Sequence, residues 1–204
     1  MSRVFAIVRL AAAIAIVVAV IGQLEVSLQS GIFNPFNFFG YFTIQSNLLL
    51  AVAFVVSAVT TMSGRTQGPL LVLFRGATVT YIATTGIVYN TLLANASMDN
   101  SFDLPWANDV LHKVIPIYGV LDWVLFGDRT RILWKRLGLF LVYPIVWLIV
   151  ILIRGATDGF VPYPFLDPAI GYGVVTLYCI GIATFIALMS ALVIWLSRYR
   201  VLRP

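Results

Sequence analysis

Residues 41–47 read YFTIQSN, and the apolar sequence LLLAVAFVVSAV follows directly at 48–59. Five of the seven side chains in the first stretch carry a hydroxyl or an amide, although the run as a whole is long enough for a membrane-spanning helix. In hydrocarbon, each unpaired polar group costs several kcal/mol, so such a cluster faces other helices or a water-filled cavity. The stretch therefore predicts a transmembrane helix that begins with a candidate functional site.

The composition places the whole chain in the class of membrane proteins. Of the 204 residues, 61% are hydrophobic and 10% are charged, and the mean hydropathy is +0.98. We expect one all-α domain over residues 1–204, with six transmembrane helices at about 4–24, 40–61, 70–93, 109–126, 133–153 and 169–196.

The basic residues predict the topology of these six helices, which explains the net charge of +5 without nucleic acid as a partner. Lys113 and Arg154 fall on one predicted side, and the predicted loop at 95–108 on that side contains Asp99 and Asp103. The other side carries Arg3, Arg9, Arg65, Arg75, Arg129, Arg131, Lys135, Arg136, Arg198, Arg200 and Arg203. By the positive-inside rule, both termini are cytoplasmic.

Polar residues on three predicted helices share one depth near the outer boundary. Thr43 lies three residues past the start of the second helix, or about 5 Å inside the boundary at roughly 1.5 Å per residue. Ser46 and Asn47 follow it at i+3 and i+4, on the same face. His112 near the start of the fourth helix and Asn90 near the end of the third fall at a similar depth.

The neighbours of His112 suggest how its ring is held. Asp109 lies one turn before it and is expected to fix the tautomer of the imidazole. Pro116, four residues later, has no backbone N–H and therefore frees the carbonyl of His112. Near the cytoplasmic boundary, Arg75 and Asp122 are expected to form an ion pair that serves packing.

The reactive residues that are missing narrow the possible functions. The chain has one histidine, His112, and one cysteine, Cys179, so it lacks the ligands for a bis-histidine haem or a cysteine-rich metal site. It contains neither a phosphate-binding loop nor a His-Glu-x-x-His motif. Of its aspartates only Asp122 is deep, whereas an intramembrane aspartyl protease needs two. We expect no metal and no cofactor.

One hydroxyl activated by one imidazole is sufficient for acyl transfer. A neutral histidine within hydrogen-bond reach would take the proton of a threonine or serine hydroxyl as its oxygen attacks an ester carbonyl, and would return that proton to the leaving alcohol. The oxyanion then needs donors, for which Asn47, Asn90 and Gln45 are candidates. A site this shallow would meet a lipid ester at the membrane interface.

In combination, these features resemble a known family. Six short spans, a Tyr-x-Thr at 41–43 and a single histidine followed by a proline at 112–116 are similar to the androgen-induced and androgen-dependent membrane proteins and their prokaryotic six-transmembrane relatives. Animal members are intramembrane threonine hydrolases of fatty acid esters of hydroxy fatty acids. The resemblance implies Thr43 as nucleophile and His112 as general base. Because Gln45, Ser46 and Asn47 are more polar than that family leads us to expect, Ser46 is the alternative nucleophile.

Two other functions fit the same residues. A small transporter or lipid-binding protein would use the polar cluster to bind a headgroup among the membrane lipids. A subunit or scaffold would use it only to hold helices together, and a stripe of small residues would then serve a homo-oligomer: Gly171, Gly173, Gly181 and Ala183.

Overall fold

The computed structural model describes residues 2–94, 104–199 and 201–202. Within these ranges the chain forms helices, connecting loops and one isolated bridge between Phe126 and Leu202, which confirms the all-α prediction. The helices are α1 (Ser2–Gln29), α2 (Pro35–Phe38), α3 (Phe42–Met62), α4 (Pro69–Val88), α5 (Pro105–Asp109), α6 (Ile115–Leu125), α7 (Leu137–Thr157) and α8 (Tyr172–Leu196). Single π-helical turns lie at Tyr89–Leu93 and Val110–Val114, and 3₁₀ turns at Trp134–Arg136, Pro164–Leu166 and Pro168–Ile170.

Five helical segments are long and apolar enough to cross a membrane, and each overlaps a predicted span. Their bounds are Arg3–Gln29, Phe42–Met62, Pro69–Leu93, Trp134–Thr157 and Tyr172–Leu196. Helix α1 extends past the predicted boundary at residue 24, whereas the other predicted boundaries agree within about four residues.

The predicted fourth span is not among these five. Residues 105–125 do form one continuous helical segment, made of α5, the second π turn and α6. However, Asp109, Lys113 and Asp122 interrupt its apolar sequence. Six spans and cytoplasmic termini therefore remain predictions, and Asp99 and Asp103 lie outside the described residues.

Local sequence explains where the helices begin and end. Gly31 and Gly64, in the turns after α1 and α3, have φ values of +73° and +69°, which residues with a Cβ rarely adopt. Helix α4 starts with Pro69, whose fixed φ suits the first helical position and whose missing N–H would have no partner there. At the start of α2, the side chain of Asn34 accepts hydrogen bonds from two backbone N–H groups.

Helices α3 and α4 form the centre of the bundle. In α4 and the π turn that continues it, 72% of an 18-residue apolar stretch is buried inside the protein. The same fraction is 17% for the segment that contains α7 and 22% for α8. Helix α3 packs between α1 and α4, and α4 also contacts α6 and α8. Helices α7 and α8 thus lie at the periphery, with large faces available to lipid.

Gly86 allows α4 to approach the 105–125 segment closely. A Cβ built at this glycine would lie 2.7 Å from the Cβ of Pro116 and 3.4 Å from the carbonyl oxygen of His112. No side chain larger than hydrogen fits there without movement of the helices. This contact places the end of α4 against the π turn that carries His112.

Candidate active site

The hydroxyl of Thr43 and the ring of His112 are in hydrogen-bonding contact. Thr43 Oγ1 lies 3.1 Å from His112 Nε2. Thr43 is in the first turn of α3, whereas His112 is in the middle of the π turn between α5 and α6. The structure thus brings together two residues that lie 69 positions apart in sequence and were predicted at equal depth.

A backbone carbonyl determines the tautomer of His112. The ring Nδ1 lies 3.1 Å from the carbonyl oxygen of Asn108, which can only accept a hydrogen bond. Nδ1 must therefore carry the proton, and in the neutral ring Nε2 is left with its lone pair toward Thr43. The Thr43 hydroxyl donates to this nitrogen, which is the arrangement a general base requires.

The prediction that Asp109 orients the imidazole is wrong. Its carboxylate is about half exposed and pairs with Lys113 one turn later. The π turn that begins at Val110 instead aligns the ring with the carbonyl of Asn108. A backbone group thus takes the role that the sequence pattern assigned to a side chain.

Tyr89, in the π turn that continues α4, packs on the imidazole. The two rings are stacked, with centroids 3.9 Å apart and planes inclined by 23°. The side-chain amide of Asn108 donates to the Tyr89 hydroxyl. Two contacts therefore fix the half-buried ring of His112: Tyr89 stacks on its face, and the Asn108 carbonyl accepts a hydrogen bond from its Nδ1.

Asn90 completes the support of the π turn. Pro116 leaves the carbonyl of His112 without its usual helical donor, and the Asn90 amide donates to that carbonyl at 3.2 Å. The same amide donates to the carbonyl of Gly86 at 2.7 Å. Both N–H groups of Asn90 are used by the backbone, so it positions His112 and is not a free oxyanion donor.

Asn47 and Gln45 are likewise bound to the protein. The Asn47 amide donates to the carbonyls of Thr43 and Leu111, at 2.9 and 3.2 Å. Gln45 donates to the carbonyl of Phe39 and accepts from the hydroxyl of Tyr143. These amides join α3 to neighbouring segments. Both N–H groups of Asn47 bind carbonyls, which does not support it as a free oxyanion donor, whereas Gln45 donates one hydrogen bond and its predicted role stays a prediction.

Ser46, the alternative nucleophile, has no contact with the imidazole. Its fully buried hydroxyl lies 3.0 Å from Thr85 Oγ1 and 3.2 Å from the carbonyl of Thr43. Within the residues that the structure describes, the hydroxyl in contact with His112 is that of Thr43.

Tyr163, from the loop between α7 and α8, is the residue that the sequence analysis missed. Its hydroxyl oxygen lies 3.5 Å from Thr43 Oγ1 and accepts from the Thr43 backbone N–H at 3.4 Å. Burial raises the pKa of Tyr163 to about 12, so it keeps its proton at neutral pH. The available signal was its position in the loop that follows Arg154, which lies on the same predicted side of the membrane as Lys113.

An apolar cavity of about 140 Å³ begins at this pair of hydroxyls. Thr43 and Tyr163 both line it, and most of the remaining wall is made of apolar side chains of α7 and α8. Thr84, Thr85 and Val88 line it from α4. Among the described residues there is no group of three or more His, Cys, Asp or Glu side chains that would hold a metal ion.

A second buried polar cluster lies at the other end of the bundle. Arg75 Nη2 is 3.7 Å from a carboxylate oxygen of Asp122, which confirms the expected ion pair. The pair belongs to a larger network: Arg9 binds Asp122 at 2.7 Å and also binds Asp128, which in turn accepts from Arg75 at 3.1 Å and from Gln67 at 2.8 Å. The side chains of these five residues, here called the charged cluster, are buried, and none lines the cavity beside Thr43.

The comparisons with known proteins identify no relative: no family model, curated protein or solved structure matches this chain. The geometry of the site therefore carries the functional argument.

Proposed function

We propose that this protein is an intramembrane hydrolase of lipid esters, such as fatty acid esters of hydroxy fatty acids, with Thr43 as nucleophile and His112 as general base. The observation that carries the proposal is the 3.1 Å contact from Thr43 Oγ1 to the unprotonated nitrogen of His112, at the end of an apolar cavity. A hydroxyl becomes an effective nucleophile when a base within hydrogen-bond reach takes its proton.

In the first step, Thr43 Oγ1 attacks the ester carbonyl carbon while its proton moves to His112 Nε2. The carbonyl π electrons move to oxygen, which becomes an oxyanion. When the tetrahedral intermediate collapses, the bond to the alcohol oxygen breaks, and His112 returns the proton to that oxygen. The products of this step are a free alcohol and an acyl ester on Thr43.

In the second step, water replaces the alcohol. His112 takes a proton from the water as its oxygen attacks the acyl carbon, and the acid leaves as the bond to Thr43 Oγ1 breaks. The proton on Nε2 returns to Thr43 Oγ1, which restores the starting state. The half-buried position of His112 gives water access to this side of the site.

Tyr163 supplies the oxyanion donor in this mechanism. Its oxygen already accepts from the Thr43 N–H, so its own hydroxyl proton is available to the space beside Thr43 Oγ1. A preorganised donor in a site that excludes most water stabilises developing negative charge strongly. Because burial keeps the pKa of Tyr163 near 12, the phenol remains a donor over the neutral range.

Such an enzyme would work as a multi-pass protein of the bacterial cytoplasmic membrane, without a cofactor. Its substrate would be drawn from the membrane lipids, with the ester near the membrane interface. The depth of Thr43 and the peripheral, lipid-facing positions of α7 and α8 support this location.

The direct test is covalent labelling of the purified protein with a fluorophosphonate probe, mapped by mass spectrometry. We expect a label on Thr43 that is lost in His112→Ala and unchanged in Thr91→Ala, because Thr91 lies on an exposed face of the helix and bonds its own backbone. A label on Ser46 would move the nucleophile by one turn. If the folded protein takes no label anywhere, the hydrolase proposal fails and the protein is a lipid-binding or transport protein.

A further inference from the structure

We propose that the cavity beside Thr43 binds the acyl chain of the ester substrate and that this chain enters sideways from the bilayer, between α7 and α8. The inference rests on the proposed hydrolase function and specifies its substrate: a lipid whose hydrolysed ester ends an unbranched hydrocarbon chain. We call this cavity the acyl groove.

Two walls of the acyl groove are faces of α7 and α8, and a third comes from α4 and the π turn that follows it. Helix α7 contributes Pro144, Ile145 and Leu148, and α8 contributes Cys179, Ala183 and Ile186. Spacings of three and four residues place each set on one side of its helix.

The acyl groove opens toward the lipid-facing side of the bundle. Pro144 and Ile186 are buried and form part of its inner wall, whereas Ile145 is 51% exposed and Ala183 is exposed at its mouth. A hydrocarbon chain can therefore reach Thr43 without leaving an apolar environment. This path avoids the cost of exposing the chain to water.

The chemistry of the lining selects hydrocarbon over a polar headgroup. The two threonines on the α4 wall have hydroxyls that are already bonded: Thr84 donates to the carbonyl of Thr80 at 2.9 Å, and Thr85 lies 3.0 Å from the hydroxyl of Ser46. The reactive end is polar, with Thr43 beside Tyr163. A long apolar wall with hydroxyls at one end fits a chain that terminates in an ester.

The position of His112 decides which part of the ester lies in the acyl groove. The alcohol oxygen must meet Nε2 of His112 to receive its proton, and His112 does not line the groove. The alcohol portion therefore lies on the side of His112. The acyl chain runs the other way, from Thr43 along α7 and α8.

The acyl groove is long enough to distinguish chain lengths. Cys179 and Ile186 are seven residues apart on α8, which corresponds to about 10 Å along the helix axis. Ile186 lies farther than Cys179 from the helix end that follows the Tyr163 loop. A short acyl chain would stop before Ile186, and a long chain would contact it.

The first experiment replaces Ile186 with tryptophan and compares palmitoyl and butyryl esters of one alcohol. We expect kcat/KM for the palmitoyl ester to fall about tenfold or more relative to the butyryl ester, because several methylenes lose their apolar contacts. Leu188→Trp, on a lipid-exposed part of α8, is the matched control and should leave this ratio unchanged. An unchanged ratio in folded Ile186→Trp protein would overturn the acyl groove.

The second experiment needs no catalysis and uses Cys179, the one cysteine of the chain, as a reporter. In Thr43→Ala protein, palmitic acid should slow the alkylation of Cys179 by N-ethylmaleimide at least about threefold, whereas butyric acid should not. Equal rates with both acids would contradict the assigned ligand.

Together, the experiments separate the two proposals. Slower alkylation of Cys179 without ester hydrolysis by the wild-type protein would leave the acyl groove in place and remove the hydrolase function. Ester hydrolysis at rates independent of chain length, with no slowing of Cys179 alkylation by palmitic acid, would remove the acyl groove and leave the hydrolase function in place.

Discussion

The charged cluster and the pair of Thr43 and His112 lie at opposite ends of the bundle. They differ in whether their polar side chains line a cavity. Arg75 and Tyr89, which represent the two ends, are 14 residues apart along α4 and its π turn, or about 21 Å. In the charged cluster, all four carboxylate oxygens of Asp122 and Asp128 accept from Arg or Gln side chains. At the other end, the Thr43 hydroxyl donates one hydrogen bond to Nε2 of the neutral His112 ring, and Thr43 lines a cavity.

The difference shows that a buried ionisable residue in an apolar helix does not by itself indicate a reactive site. Arg75 and Asp122 are the more deeply buried pair, yet Asp122 binds Arg9 and Arg75, and Nη1 of Arg75 donates to Asp128. Such networks fix how helices pack, and breaking one member leaves a buried charge without a partner. We therefore expect the charged cluster to control stability and the Thr43 site to control turnover.

The largest expected effect is on turnover in Thr43→Ala. Loss of the proposed nucleophile should lower the hydrolysis of a fluorogenic long-chain ester by about 10⁴-fold or more, as in enzymes that lose a nucleophile. The unfolding temperature should change little, because one hydroxyl hydrogen bond contributes only about 1 kcal/mol. Steady-state kinetics and thermal unfolding in detergent test this pair of results. Residual turnover above about a hundredth of the wild-type rate would contradict it.

The converse is expected for Asp122→Ala. Removal of this carboxylate leaves Arg9 and Arg75 buried with fewer acceptors, which should destabilise the fold by about 3–5 kcal/mol. Thermal unfolding in detergent measures the loss, and activity per folded molecule should stay near wild type. Asp109→Ala removes an exposed carboxylate from the same helical segment and serves as the control. If both variants unfold at the same temperature, the charged cluster does not have the assigned role.

A smaller effect on catalysis is expected for Tyr163→Phe. The ring keeps its packing against Trp147 and Tyr41, but the proposed oxyanion donor is lost, so kcat should fall about 10²- to 10³-fold with little change in KM. Tyr172→Phe, at the exposed start of α8, is the matched control. A fall in thermal stability with unchanged kcat would mean that Tyr163 only packs the loop.

The smallest effect is expected for Asp109→Asn. Because the carbonyl of Asn108 holds the His112 ring, and Asp109 faces Lys113 in a largely exposed pair, turnover should change by less than about twofold. The measurement is kcat for the same ester across the neutral pH range. A loss of tenfold or more would restore Asp109 as the group that orients the imidazole.

The prolines show how far the sequence pattern could predict local structure. Pro116 predicted a free carbonyl at His112, and the structure supplies Asn90 as its donor. Pro144 within α7 frees the carbonyl of Phe140 in the same way, and the hydroxyl of Tyr81 donates to it at 3.0 Å. The missing donor follows from the chemistry of proline, but the residue that replaces it comes from another helix and depends on packing.

The sequence by itself determined the all-α class, the approximate helix bounds, and the shared depth of Thr43 and His112. These properties follow from hydropathy and from a constant rise per residue, which are local quantities. Only the tertiary structure decided which helices are neighbours and which way each face turns. It replaced Asp109 by the Asn108 carbonyl, brought Tyr163 from a distant loop to Thr43, and added Arg9 to the pair of Arg75 and Asp122. These contacts join residues about 50 to 120 positions apart or depend on a π turn, and side-chain spacing along one helix carries no information about either.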